Sequence, residues 1–122
     1  MRSFGFGVLM ASVLAAGPVS AQAPQVEKNV SMAMAMAIMQ GTIDQCKANG
    51  YKVSVTIIDK AGNVAGQIRG DGTNPHTMEY SRLKAYTART RGMTSGEFAK
   101  QTEDPKMAYL RQIPNTVYAA GG

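Results

Sequence analysis

Two short runs constrain this chain more than any other feature. YKVSVTIID, residues 51–59, alternates Val53, Val55 and Ile57 with Ser54 and Thr56, and VAGQIR, residues 64–69, follows after KAGN. Period-two alternation rich in β-branched residues is the pattern of a strand with two unlike faces. Gly62 and Asn63 in the connection suit the positive φ of a tight turn, so the pair predicts an antiparallel β-hairpin. An antiparallel hairpin cannot bury a face alone, and the flanking segments must supply the cover.

The segment before it reads SMAMAMAIMQ from Ser31 to Gln40. In an exported protein, alternating thioethers would suit Cu(I). Helical geometry points elsewhere, because residues two apart face nearly opposite sides of a helix and cannot share one ion. Met32, Met36, Met39, Ile43 and Cys46 instead follow four-three-four-three spacing, one apolar stripe. Alanine and methionine are strong helix formers, so this is read as a core helix starting at Val26 or Ser31 and ending at Asn49-Gly50. Replacing the stripe methionines is expected to cost stability rather than copper.

The first 21 residues pair Arg2 with the apolar run FGFGVLMASVLAAG and then PVSAQA, with small Val19 and Ala21 before a cleavage point. This is the pattern of a secretory signal peptide, interrupted by glycine and proline and short of the ~20 apolar residues a spanning helix needs. Residues 22–122 are then one domain, placed in the periplasm or secreted, with no stable membrane insertion. Cys46 is the only cysteine, so no intrachain disulfide is available and the fold must rest on packing. The formal charge is +5, and +4 once Arg2 is removed with the leader. Arg82, Lys84, Arg89 and Arg91 are the densest basic group. They divide between two sides of a helix, whereas a nucleic-acid surface would gather them on one, and export makes nucleic acid an unsuitable partner.

After the hairpin, GDGTNPH reads as a loop, and Thr77 as the cap of a helix that stops at Gly92. Met78, Ser81, Ala85, Ala88 and Gly92 mark a small-residue face expected to pack closely on the sheet. Thr94 with Glu97 three residues on is a capping box for a short helix. A helical turn is expected around MAYLRQ, and NTVYAAGG is expected to be a strand.

No hydrolase elbow, P-loop, HExxH or paired-cysteine metal motif is present, so self-contained catalysis finds no support among these residues. His76 is the only histidine, beside Pro75 at a helix start, with Met78 and Tyr80 close by. It is the one ligand-competent imidazole for a metal or haem iron. Arg69 and Lys84 are cations close to this loop in sequence, suited to carboxylates.

The order of segments resembles the GlcG-like family, also called the HbpS-like or haem-degrading domain. The resemblance rests on Asp59 with Gly62 ahead of Arg69 and Asp71-Gly72, on Lys84-Ala85 with Thr87-Ala88, and on the terminal Gly121-Gly122. It implies an α/β (α+β), profilin-like domain, an antiparallel β-sheet flanked by helices, with the family's C-terminal strands and last helix missing after Gly122. It also implies an exported binding module for haem or a related tetrapyrrole, with His76 or Tyr80 toward iron. Arg69 and Lys84 would meet the propionates, and Thr87 would belong to the same cofactor-binding set. Homo-oligomers and a sensor protein as partner are further implications. The competing expectations are a cofactor-free oligomeric interaction protein and an enzyme acting on a small oxidised acid. No catalytic residue follows from the resemblance.

Overall fold

The alternating runs form β1 (Ser54–Ile58) and β2 (Val64–Arg69), an antiparallel pair with Ser54 opposite Arg69 and Ile57 opposite Gly66. The computed structural model of the chain describes residues 23–120, so the signal-peptide reading and Gly121-Gly122 lie outside the described residues. Asp59 closes the turn: its N–H donates to Asn63 C=O at 2.8 Å, and its carboxylate accepts from the Asn63 N–H at 2.8 Å. That bond holds the Asp59 carboxyl below its usual range. Of the two turn residues, only Gly62 takes positive φ, at 87°. The Asp59 clasp fixes the turn without needing that conformation from Asn63.

Helix α1 (Met32–Ala48) starts where Ser31 Oγ accepts the Met34 N–H at 3.2 Å. It ends in a Schellman closure, with Gly50 at φ 81°, Tyr51 N–H bonded to Cys46 C=O and Gly50 N–H to Lys47 C=O. The expected stripe is corrected. Met32 and Met36 are exposed, and the fully buried residues are Ala35 and Met39. Relative to the predicted stripe, the contact face is rotated by about 40° toward Ala35 and Thr42. Gly66 is the cause, because its missing side chain admits the end of Met39: a Cβ there would lie 2.7 Å from Met39 Cε. A two-stranded sheet is also too narrow to cover the first turn of the helix.

Helix α2 (Thr77–Arg91) lies on the other face of the hairpin, since Ser54 and Thr56 alternate with the residues that face α1. Hydroxyls make this contact. Ser54 Oγ meets Thr77 Oγ1 at 2.7 Å, and Thr56 Oγ1 meets Ser81 Oγ at 2.6 Å. Gln67 Nε2 donates both to Thr56 Oγ1 at 2.8 Å and to Met78 C=O at 2.7 Å. Thr77 is therefore not the cap: His76 holds the N-cap position without a side-chain bond, and Thr77 Oγ1 donates back to Asn74 C=O. The small-residue face is corrected as well. Ser81 meets the sheet, but Ala85 and Ala88 line an open groove beside β1, because no further strand lies there among the described residues.

Helix α3 (Ser95–Gln101) has the complete capping box of Thr94 and Glu97. It buries Phe98 completely, with the Arg91 guanidinium 5.0 Å above the ring. A 3-10 turn spans Ala108–Gln112 and buries Leu110. The expected terminal strand does not form: Thr116–Ala120 is irregular and its main chain is held by side chains of α2 and α3. No described helix is long and apolar enough to cross a membrane.

Candidate functional site

Four-residue steps on a helix advance only ~40° around it, so His76, Tyr80 and Lys84 rise along one face of α2. The His76 and Tyr80 rings meet edge to face with centroids 6.5 Å apart, and Lys84 Nζ stands 5.7 Å from the Tyr80 centroid. His76 is exposed, and Tyr80 is 38% exposed. Lys84 is half-buried, and loss of solvent lowers its ammonium from the usual lysine range. Its Nζ donates to Ser95 Oγ at 2.9 Å and to Ala119 C=O at 3.2 Å, which ties α2 to α3 and to the C-terminal segment.

Thr87 has an internal task. It is fully buried, its Oγ1 donates to Leu83 C=O at 2.8 Å, and the same oxygen accepts the Val117 N–H at 2.8 Å. Arg69 turns onto the loop that leads to His76: Nε donates to Thr73 Oγ1 at 3.2 Å and Nη2 to Thr73 C=O at 2.6 Å. Thr73 is buried and donates onward to Gly70 C=O. Arg69 therefore shapes the approach to His76 from the end of β2.

Of the five candidates, the structure aligns His76, Tyr80 and Lys84 on one face, puts Arg69 at the root of the loop before them, and sets Thr87 beneath the C-terminal segment. Ser95 joins them unannounced by the sequence. Its capping-box neighbourhood marks a helix start, but nothing there shows that its hydroxyl turns inward to accept from Lys84 and donate to Ala119 C=O. Arg82 pairs with Glu79 at 2.7 Å, while Arg91 lies over Phe98.

The donor set bears on what could bind. Among the described residues no three His, Cys, Asp or Glu side chains gather to hold a bare ion. A single exposed imidazole with a neighbouring phenol suits an iron whose other donors come from a macrocycle.

The architecture is that of a small α+β domain with helices on both faces of an antiparallel sheet. The family model described as "Haem degrading protein HbpS-like" matches residues 30–122, and the chain belongs to that family. A crystal structure of HbpS is similar at 28% identity and TM-score 0.76, over 84% of this chain and 73% of that one. A double Glu-to-Asp mutant of HbpS from Streptomyces reticuli gives 28% identity and TM-score 0.76 over 88% and 73%. The Klebsiella pneumoniae protein ORFY, of family DUF336, shares the fold at 16% identity and TM-score 0.68, over 83% and 72%. Comparison with curated protein sequences finds no match.

Proposed function

We propose that the chain is an exported module that binds haem or a related tetrapyrrole, without catalysis of its own. The carrying observation is the α2 face that presents His76, Tyr80 and Lys84 in line. Membership of a haem-associated family supports it, and the signal-peptide pattern of residues 1–21 supports delivery to the periplasm or outside the cell.

In this reading His76 would hold the haem iron through an imidazole nitrogen, with Tyr80 as the alternative oxygen donor. Haem would bring its iron already held by the macrocycle, so one protein ligand would suffice. Lys84 and Arg69 place positive charge on either side of the His76 loop, where propionate carboxylates would be stabilised by charge-assisted bonds. Ser95 and the Ala119 carbonyl hold Lys84 in position, and Thr87 fixes the segment that carries that carbonyl. Thr87 thus acts on the cofactor through the tail and not by contact.

Haemin titration of the full mature chain, followed in the Soret band, tests this. A saturable shift is expected, displaced in position by His76→Ala and weakened by about 1 to 3 kcal/mol in Arg69→Ala or Lys84→Ala if those contacts form partly buried. An unchanged Soret position and affinity in His76→Ala would move the ligand to Tyr80. A wild-type chain with no saturable shift would remove the haem reading. One observation favours a second reading, a cofactor-free oligomeric or sensor-accessory protein: Met32 and Met36 stand one turn apart on the same side of α1, at 70% and 56% exposure. Sedimentation of the haem-free chain separates the two, because only the second reading needs assembly without cofactor.

A further inference from the structure

Glu27-Lys28-Asn29-Val30-Ser31 lies just ahead of the packed elements. Asn29 is the one asparagine in the chain with a serine or threonine two residues on, and the residue between them is not proline. In an exported protein that is the pattern of an N-glycan acceptor. Glu27 adds a second signal, because it places a carboxylate two residues ahead of the asparagine. A charge there gives a transferase a group to pair with a cation of its own, and it extends recognition to the five-residue acceptor that bacterial transferases read.

The structure presents this stretch as an arm tethered by side chains. Residues 23–30 are irregular, residues 23–29 are exposed, and among the described residues their main chain makes no bond to the main chain of another element. Two polar contacts reach the arm, both from Lys60 in the hairpin turn. Lys60 N–H donates to Asn29 Oδ1 at 3.3 Å, and Lys60 Nζ stands 3.9 Å from Glu27 Oε1 with both side chains half exposed. A solvent-screened pair of this kind contributes little, so the arm can lift from the hairpin. Asn29 Oδ1 takes the bonds, including one from the Val30 N–H at 2.9 Å, and Nδ2 meets no acceptor among the described residues. Ser31 Oγ accepts the Met34 N–H at 3.2 Å, which leaves its own proton and a second lone pair.

A glycan has room here. An open hollow of about 370 Å³ beside Asn29 is bordered by Lys28, Met34, Ile58 and Arg89, so a sugar on Nδ2 meets solvent and not core. Arg89 lies roughly 20 Å along α2 from His76, at about 1.5 Å per residue, and the glycan stands clear of the candidate site. Recognition depends on five consecutive residues and on no sheet edge. During export this stretch crosses the membrane ahead of the domain, and a transferase meets it before the helices pack.

We infer that Asn29 is an N-glycosylation site, modified on the far side of the membrane by a transferase that draws its oligosaccharide from a polyprenyl diphosphate. Asn29 Nδ2 attacks the anomeric carbon, and the bond from that carbon to the diphosphate oxygen breaks. The polyprenyl diphosphate leaves with the electron pair, and one amide proton passes to a carboxylate of the transferase. No oxidant or reductant is needed. Glu27 and Ser31 are the recognition residues on either side. The inference rests on the export part of the proposed function and is independent of haem.

The test is intact-mass measurement of the full chain expressed for export in a bacterium supplied with such a transferase, its lipid-linked glycan and a known acceptor protein as control. A second version carries residues 22–122 behind an unrelated export leader. Wild type should gain the mass of one glycan in both versions, placed on Asn29 by fragmentation. Asn29→Gln, Glu27→Gln and Ser31→Ala should each remove that mass, and Ser31→Thr should keep it. A chain delivered by the unrelated leader and left unmodified, while the control acceptor is glycosylated, would overturn the inference. So would a glycan that persists in Asn29→Gln or in Glu27→Gln. Retention of Met1 to Ala21 on the first version, with the second glycosylated, would support the acceptor assignment and overturn the export reading alone.

Discussion

Thr87→Val separates an internal role for Thr87 from a cofactor contact. The substitution keeps the shape of a fully buried side chain and deletes one oxygen. That oxygen has two bonds, but they are unequal in consequence. The Leu83 carbonyl it donates to lies in the interior of α2, where a carbonyl also accepts its helix bond, so losing the hydroxyl there costs little. The Val117 N–H depends on Thr87 Oγ1 at 2.8 Å and lies in a half-buried, irregular segment. Leaving such a donor unpaired costs about 1 to 2 kcal/mol, the lower part of the range for buried groups. For a domain near 100 residues that loss corresponds to a melting point lower by about 6 to 12 °C. Thermal melting by circular dichroism gives the stability, amide exchange at Val117 gives the site, and haemin titration gives the function. Thr87→Ser should restore Val117 protection and recover most of the stability, short of about 1 kcal/mol for the lost methyl. Thr87→Val that melts like wild type with Val117 still protected would refute the reasoning. So would an unchanged melt with haemin binding lost, which would make Thr87 a direct contact.

Met39→Ala should cost about 2 to 5 kcal/mol in urea unfolding, whereas exposed Met32→Ala should stay within about 0.5 kcal/mol. Gly70→Ala should destabilise by about 1 to 3 kcal/mol, because the added Cβ would stand 2.5 Å from the Val53 carbonyl that accepts the Gly70 N–H. The urea midpoint should also fall in acid through Glu97, whose carboxyl is held below 4.5 by the Thr94 N–H and hydroxyl. Its stabilisation is complete above 4.5 and is lost as pH drops through the lower folded value, so Glu97→Gln should flatten that part of the profile.

Local signals in this chain were legible where one segment decided its own structure. The hairpin, the stop at Asn49-Gly50, the capping box of Thr94 and Glu97 and the turn before Gln112 each depend on residues a few positions apart. Misreadings arose where a distant segment decided. Met36 lies on a good heptad-like stripe, yet Gly66, thirty residues later, turns the helix so that Ala35 and Met39 make the contact. Thr77 has the chemistry of a cap, but Ser54 across the sheet and Asn74 behind it engage its hydroxyl. Val117-Tyr118 has strand propensity, and a strand still needs a partner edge; Thr87, Ser95 and Lys84 reach its main chain instead.

The candidate site shows the same division. The four-residue spacing of His76, Tyr80 and Lys84 could be counted in the sequence, and the structure places all three on one face. The tether on Lys84 could not be counted, since Ser95 lies 11 residues away and Ala119 lies 35 away. That tether matters for binding. An ammonium held by Ser95 Oγ and a main-chain carbonyl is already partly desolvated and loses less freedom when a carboxylate arrives, but it must exchange or share an existing acceptor to do so. In the proposed function, propionate binding at Lys84 would therefore be coupled to anchoring of the Ala119 segment. A ligand that drew Lys84 outward would remove its bonds to the Ala119 and Ala120 carbonyls, while Ser95 would still hold the Ala119 carbonyl and Thr87 the Val117 N–H two residues earlier. A site built this way would signal occupancy through the position of Ala119 and Ala120, at the rim of the groove beside β1.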